Sequence, residues 1–194
     1  MKRLVVMHTK GGVGKTTSAI YLGMAAHLRG LDVSVVDADP QGSALDWASV
    51  AQAHGAPLPY PLVPAGRKLP EPSGDLAIID TPPGTAPIIQ TAIDAADLVV
   101  VPAGATPLEI RRVRPTLEVT AHRPTVVLLT RVDLRTRLIE EARMALDNDG
   151  VPVIRTVIVN RTAIPRQFGL APHPAHLYGY DEALTELLEV LTHV

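Results

Sequence analysis

Short apolar runs recur along the chain, separated by stretches of helical length. Leu4–Met7, Val33–Val36, Leu76–Ile79, Leu98–Pro102, Thr125–Leu129 and Gly150–Val159 read as strands. Continuous apolar runs of this kind suit strands buried on both faces, as in a parallel sheet. Between them lie helical stretches at Ser18–Ala26, through Ala44–Ala48, at Ala86–Ala96, about Pro107–Ala121 and at Leu134–Asn148. A final helix, Asp181–Leu191, sets Leu184, Leu187, Leu188 and Leu191 on one face, a spacing that serves core packing. Strands alternating with helices predict an α/β fold: a doubly wound, mostly parallel sheet flanked by helices. Residues 55–75 break the rhythm with Pro57, Pro59, Pro61, Pro64, Pro70 and Pro72. That density permits a surface loop, carrying Arg67 and Lys68, with at most a short edge strand at Tyr60–Val63.

The 194 residues, 46% of them hydrophobic, suffice for one domain spanning 1–194. The absence of cysteine excludes disulfides, cysteine-ligated metals and iron–sulfur clusters, and suits a cytoplasmic protein. No targeting leader is expected before the first strand. No apolar run approaches the roughly 18 residues of a membrane span. The seven histidines show no metal-ligand spacing and read as surface or packing residues. The net charge of −2 conceals an uneven distribution. Residues 110–166 carry 11 arginines against 6 acidic residues, whereas 167–194 carry 4 acidic residues and no basic ones. A neutral total of this kind can hide a basic surface. Ordinary solvated faces rich in arginine are the competing reading.

Candidate chemistry starts at the first strand–helix junction. Lys10-Gly11-Gly12-Val13-Gly14-Lys15-Thr16-Thr17 is a glycine-rich loop between a buried strand and a helix. Such a loop turns its N–H groups and the helix N-terminus toward an anion. Lys15 would reach the outer phosphates of a nucleotide, and the Thr16 hydroxyl a Mg²⁺ ion. The common pattern G-x-x-x-x-G-K-[ST] has its first glycine where Thr9 stands here, and a second lysine, Lys10, lies five residues before Lys15. The second strand ends in Asp37-Ala38-Asp39-Pro40-Gln41 and the third in Asp80-Thr81-Pro82-Pro83-Gly84. Carboxylates at the carboxyl ends of parallel strands face the ligand crevice. Asp80 is therefore a candidate for the metal shell, and Asp37 and Asp39 are candidates either for holding Mg²⁺ or for orienting an attacking water. Asp39 or Ser43 would equally serve as the N-cap of the next helix. The strand at 125–129 ends in Thr130-Arg131-Val132-Asp133, one step from a guanine-reading N/T-K-x-D string, and Asp133 would also cap the following helix.

Taken in order, KGGVGKTT, DADPQ and DTPPG resemble the ParA/MinD class of deviant Walker A ATPases, and most of all the small ParA partition proteins. The specific motifs cover about 25 residues, the general pattern most of the chain. The resemblance implies ATP rather than GTP, with Mg²⁺, and Lys10, Lys15 and Asp39 as catalytic residues. It implies a nucleotide held by Lys10–Thr17, with Thr130, Arg131 and Pro165 near adenine and Thr16, Asp37 and Asp80 at the metal. Lys10 would cross to a partner's phosphates, so that ATP creates a homodimer and hydrolysis dissolves it. Such dimers bind DNA without sequence preference at the nucleoid, and a ParB-like centromere-binding protein stimulates turnover. Arg111, Arg112, Arg114, Arg155, Arg161 and Arg166 are the DNA candidates.

Other readings use the same chemistry. A positioning ATPase for a protein array or enzyme compartment would differ only in its adaptor. A MinD-like membrane switch calls for a basic amphipathic C-terminal helix, and this one is acidic, so no membrane partner is expected. A nitrogenase-iron-protein-like electron donor is excluded by the missing cysteines. A synthetase of the dethiobiotin type is disfavoured by Lys10 and DADPQ.

Overall fold

A computed structural model of the chain describes residues 1–66, 68–71, 73–84 and 87–193. Arg67, Pro72 and Ala86, which belong to the loop and helix expected above, lie outside the described residues. Seven strands form one sheet: β1 (Lys2–Val6), β2 (Val33–Asp37), β3 (Leu62–Pro64), β4 (Leu76–Asp80), β5 (Leu98–Ala103), β6 (Thr125–Val132) and β7 (Val153–Val159). Their order is β3-β2-β4-β1-β5-β6-β7, and every pairing is parallel. The expected short strand in the proline-rich segment is β3, and it lies at an edge, where a missing N–H costs least.

The helices are α1 (Lys15–Leu28), α2 (Ser43–Ala53), α3 (Pro87–Ala95), α4 (Pro107–Arg111), α5 (Arg114–Thr120), α6 (Leu138–Asn148) and α7 (Tyr180–His193). Strand side chains alternate between two cores, as the pleat requires. Leu4 and Val6 pack with α1, α2 and α7, whereas Val5 and Met7 pack with α3 through α6. Leu184, Leu187 and Leu191 of α7 are buried and Leu188 is partly so, as their spacing predicts. Helix α1 is central: Ser18 through Ala26 are all buried. Its close approach to the sheet depends on Gly23, where a Cβ would lie 2.9 Å from both Tyr60 and Val35. Tyr60 in turn donates its hydroxyl to the Ile20 carbonyl at 2.6 Å.

Several boundaries differ from expectation by a few residues, and some differ for a physical reason. The helix expected over 107–121 is split into α4 and α5. Pro115 has no N–H to give the Arg111 carbonyl and restarts the helix in its first turn. The helix expected from Leu134 begins at Leu138, and Asp133 does not cap it. Instead Asp133 Oδ1 accepts from the Arg135 N–H at 3.0 Å and its carbonyl from Thr136, closing a local turn. Pro102 lies inside β5, paired with Leu128, rather than at its exit.

Candidate functional site

The carboxyl ends of β1, β2, β4, β6 and β7 surround a cleft of about 580 Å³. This lies within the range of small-molecule sites, roughly 300–1,000 Å³. Its floor is the loop 10–17, with Gly11, Gly12, Gly14, Lys15, Thr16 and Thr17 at the surface of the cleft. Gly12 and Gly14 hold φ of 72° and 96°, a conformation that side chains disfavour. Val13 between them is buried. The loop is tied down from several sides. Thr116 of α5, itself buried, accepts the Thr9 N–H at 3.1 Å. The N–H of Gly84 donates to the Thr9 carbonyl at 2.8 Å, which lays the segment after β4 across the start of the loop.

His8 is one of the histidines that the sequence assigns to surface or packing. It is buried, and it also shapes the loop. Its Nδ1 accepts the Lys10 N–H at 2.9 Å. Burial, then the Lys15 and Lys10 charges, push its pKa down to about 4. The ring is therefore neutral near pH 7, with the proton on Nε2.

Lys15 is 7% exposed, and its Nζ donates to the Lys10 carbonyl at 3.4 Å. Burial pulls its pKa below the usual lysine value, opposed by Asp80 and Asp39. The Lys10 side chain is half-buried, and its ammonium makes no hydrogen bond or ion pair among the described residues.

Thr16 Oγ1 donates to Asp80 Oδ2 at 2.6 Å. The other oxygen, Asp80 Oδ1, is buried with no partner among the described residues. Burial pushes the Asp80 pKa up to about 7, against the hydrogen bond from Thr16. A buried bare carboxylate oxygen beside a hydroxyl matches the hard-oxygen demand of Mg²⁺. Asp37 is placed differently. Its Oδ1 accepts from the Asp39 N–H, and its Oδ2 from the Ala44 and Leu45 N–H groups, all at 3.0 Å. Asp37, rather than Asp39 or Ser43, thus supplies the side-chain acceptor at the start of α2, whose own cap residue Gly42 has none. Asp39 lines the cleft half-buried, with Oδ1 accepting from the Gln41 N–H at 2.9 Å.

Thr130, Arg131 and Pro165 all line the cleft. Arg131 Nη1 donates to the Gly12 carbonyl at 3.1 Å, and Nη2 pairs with Glu109 at 2.7 Å. The segment after β7 passes over the mouth and rests on α2. Trp47 Nε1 donates to the Leu170 carbonyl at 2.8 Å, and the Trp47 ring tilts against Phe168 with centroids 5.5 Å apart. Trp47, Ile164, Phe168 and Tyr180 form apolar wall. Glu109, Thr116 and this wall are not singled out by the sequence, because no local spacing marks residues that meet only through the tertiary fold.

The six arginines assigned to DNA fall into two groups. Arg111, Arg112 and Arg114 are exposed on and between α4 and α5. Arg155 lies on β7, and Arg161 and Arg166 follow it, also exposed. Arg114 is bonded through Nε and Nη2 to Asp149, and Arg155 is paired with Glu186, so part of this charge is compensated within the chain. Among the described residues no group of His, Cys, Asp or Glu clusters as a ready metal cage, and no helix is long and apolar enough to cross a membrane.

The sequence model for the CobQ/CobB/MinD/ParA nucleotide binding domain matches residues 4–169. The chain is 38% identical over 169 residues to the maintenance of carboxysome distribution protein A of Gloeobacter kilaueensis, covering 80% of this chain and 75% of that one. It is 30% identical over 218 residues to the chromosome-partitioning ATPase Soj of Thermus thermophilus, covering 90% and 85%. Its fold matches cobyrinic acid a,c-diamide synthase of Mycobacterium smegmatis, solved with an ATP analogue and magnesium. That match has a TM-score of 0.77 at 23% identity, over 97% of this chain and 94% of the other.

Proposed function

The chain belongs to the CobQ/CobB/MinD/ParA nucleotide-binding domain family, and we propose that it is a Mg²⁺-dependent ATPase switch that dimerises on ATP to drive plasmid or chromosome partition. The observation that carries this reading is the pair of lysines flanking one loop. Lys15 is buried beside Asp80, as a phosphate ligand within its own subunit should be. Lys10, on the same loop, has an ammonium without a partner among the described residues. A charge left over in one protomer has a use in the phosphate site of a second.

The phosphates would rest on the amides of 11–17 and on Lys15. Thr16 Oγ1 and Asp80 would hold Mg²⁺, with Asp37 behind them as the brace of α2. When bound, the ion neutralises charge on the transferring phosphoryl group. Asp39, half-exposed in the cleft, orients the attacking water. Lys10 enters the partner's site, where a finger of this kind contributes roughly 10³–10⁵ in rate. The apolar wall at Trp47, Ile164, Pro165 and Phe168 suits a purine base. The dimer binds DNA without sequence preference through the exposed arginines, of which Arg111, Arg112, Arg161 and Arg166 have no ion pair among the described residues. A ParB-like centromere-binding protein triggers hydrolysis.

A second reading keeps this chemistry and changes the cargo to a protein compartment. It is favoured by the 38% identity to a carboxysome-distribution protein.

Lys10→Ala tests the core of the proposal. The variant should bind MgATP within about threefold of the parent, because Lys15 and the loop amides remain. Light scattering with MgATP should show the parent as a dimer and the variant as a monomer. A variant that dimerises and turns over ATP as the parent does would reject the trans lysine.

A further inference from the structure

Strand β6 ends irregularly. Its pairing with β7 slips between Thr130 and Val132. Arg131, the residue between them, takes the left-handed conformation with φ 55°. That conformation is uncommon for a long side chain. Bulges of this type occur beside active sites, where they re-aim a side chain. Here the slip carries the Arg131 guanidinium onto the phosphate loop, where Nη1 donates to the Gly12 carbonyl at 3.1 Å. Nη2 donates to Glu109 Oε1 at 2.7 Å, and Thr106 Oγ1 donates to Glu109 Oε2 at 2.9 Å. Glu109 is seated against Gly104, where an added Cβ would overlap its carboxylate. The preceding residue, Thr130, is buried, and its hydroxyl reaches the Val13 carbonyl at 3.5 Å.

Two successive carbonyls of the phosphate loop are therefore held by two successive residues of β6. In a trans peptide the C=O and the N–H point opposite ways. Holding the Gly12 and Val13 carbonyls against β6 turns the N–H groups of Val13 and Gly14 to the other side, where an anion nest presents its donors. We propose that Arg131, with Thr130, is a positioning residue for the phosphate loop, and that the Glu109–Arg131 strut sets the loop's amides before any anion arrives. This departs from the role near adenine that the sequence resemblance implies for the same two residues. It rests on the proposed reading of the loop as a polyphosphate site.

The experiment is calorimetric titration of the full chain with inorganic tripolyphosphate and, separately, with ATP, each with Mg²⁺. Tripolyphosphate has no base. Arg131→Met should weaken both ligands by the same factor, roughly tenfold for loss of a charged hydrogen-bonding strut. Weakening of ATP alone, with tripolyphosphate unchanged, would assign Arg131 to the base and overturn the proposal.

A third role, direct attraction of phosphate by the guanidinium, is separated by Glu109→Gln. A strut loosened at its far end should bind tripolyphosphate more weakly, by roughly threefold. A guanidinium freed from its carboxylate to act on the anion would bind it more tightly, which would overturn the strut. Arg131→Lys should recover only part of the loss, because one ammonium does not span both acceptors as the planar fork does. Thermal unfolding run alongside separates these effects from general loosening. If Arg131→Met does not fold, the sign of the Glu109→Gln effect decides alone. Failure of the unaltered chain to bind either ligand would overturn the nucleotide reading itself, whatever the variants do.

Discussion

The ends of β2 and β4 lie side by side, with Asp37 and Asp80 as register partners, and their carboxylates meet different fates. After β2 the chain turns through Gly42 in the left-handed conformation and starts α2 on top of Asp37. Three backbone N–H groups converge on that carboxylate. After β4 the chain continues as Thr81-Pro82-Pro83-Gly84, and two of those four residues have no N–H to offer. Thr81 directs its own hydroxyl to the Val6 carbonyl at 3.0 Å. Among the described residues, Asp80 is left with Thr16 on one oxygen and nothing on the other. Which aspartate is filled with backbone donors and which keeps a bare oxygen is thus decided by the residues that follow each strand. Burial raises the pKa of both, but only at Asp37 is the cost met by amides already in place.

The contrast breaks most visibly at Asp80→Asn. Without the charge for the metal shell, Mg²⁺-dependent ATP turnover should fall by roughly 10³–10⁴, the several kcal/mol that a metal contributes. Phosphate release with and without Mg²⁺ measures it, and retention of more than a tenth of the activity would reject Asp80 as the metal-shell residue.

The same variant should be more stable than the parent at neutral pH in the absence of Mg²⁺. The folded-state pKa of Asp80 is about 7 against a usual 3.8. Between those values the folded chain holds a proton that the unfolded chain has lost, so the parent loses stability as pH rises through this window. The substituted amide does not titrate, and the advantage of Asp80→Asn should grow from near zero at pH 4 to roughly 4 kcal/mol above pH 7. Chemical denaturation across pH reads it, and a flat difference would remove burial as the source of the shift.

Asp37→Ala should do the opposite. Loss of an acceptor shared by three amides should destabilise the chain by about 2 kcal/mol and loosen α2. Amide hydrogen exchange at Ala44 and Leu45 would locate the loss, and unchanged protection there would contradict the bracing role.

Much of this arrangement is legible without the structure. The strands, their parallel class and the gathering of three motifs at their carboxyl ends follow from apolar runs and glycine spacing, which are local signals. The two strand-end aspartates are recognisable as a pair, and the prolines after Asp80 are in plain view. Their different environments are not, because the amides that reach Asp37 come from a helix start whose approach depends on the left-handed turn at Gly42. The break at Pro115 is legible in principle, but the apolar periodicity runs through it. Arg131 illustrates the deeper limit. Its neighbours Gly12 and Glu109 are 119 and 22 residues away in sequence, and only the slip between β6 and β7 brings the three together. The arginine-rich segment is a third case. Composition reveals the excess charge, while the ion pairs of Arg114 and Arg155 emerge only from the packing of α5 against the end of α6 and of β7 against α7.

The wall formed by Trp47 and Phe168 has a practical corollary. Trp47 is the chain's single tryptophan, and it stands in the cleft on the helix that follows the second strand-end motif. Excited where tyrosine does not absorb, the unlabelled protein therefore emits from one indole bordering the site. An occupant of that cleft, or a shift of the overlying segment, alters the polarity around that ring, and the emission maximum follows. The molecule is built with its own optical gauge of loading, readable in real time without dye, mutation or tag.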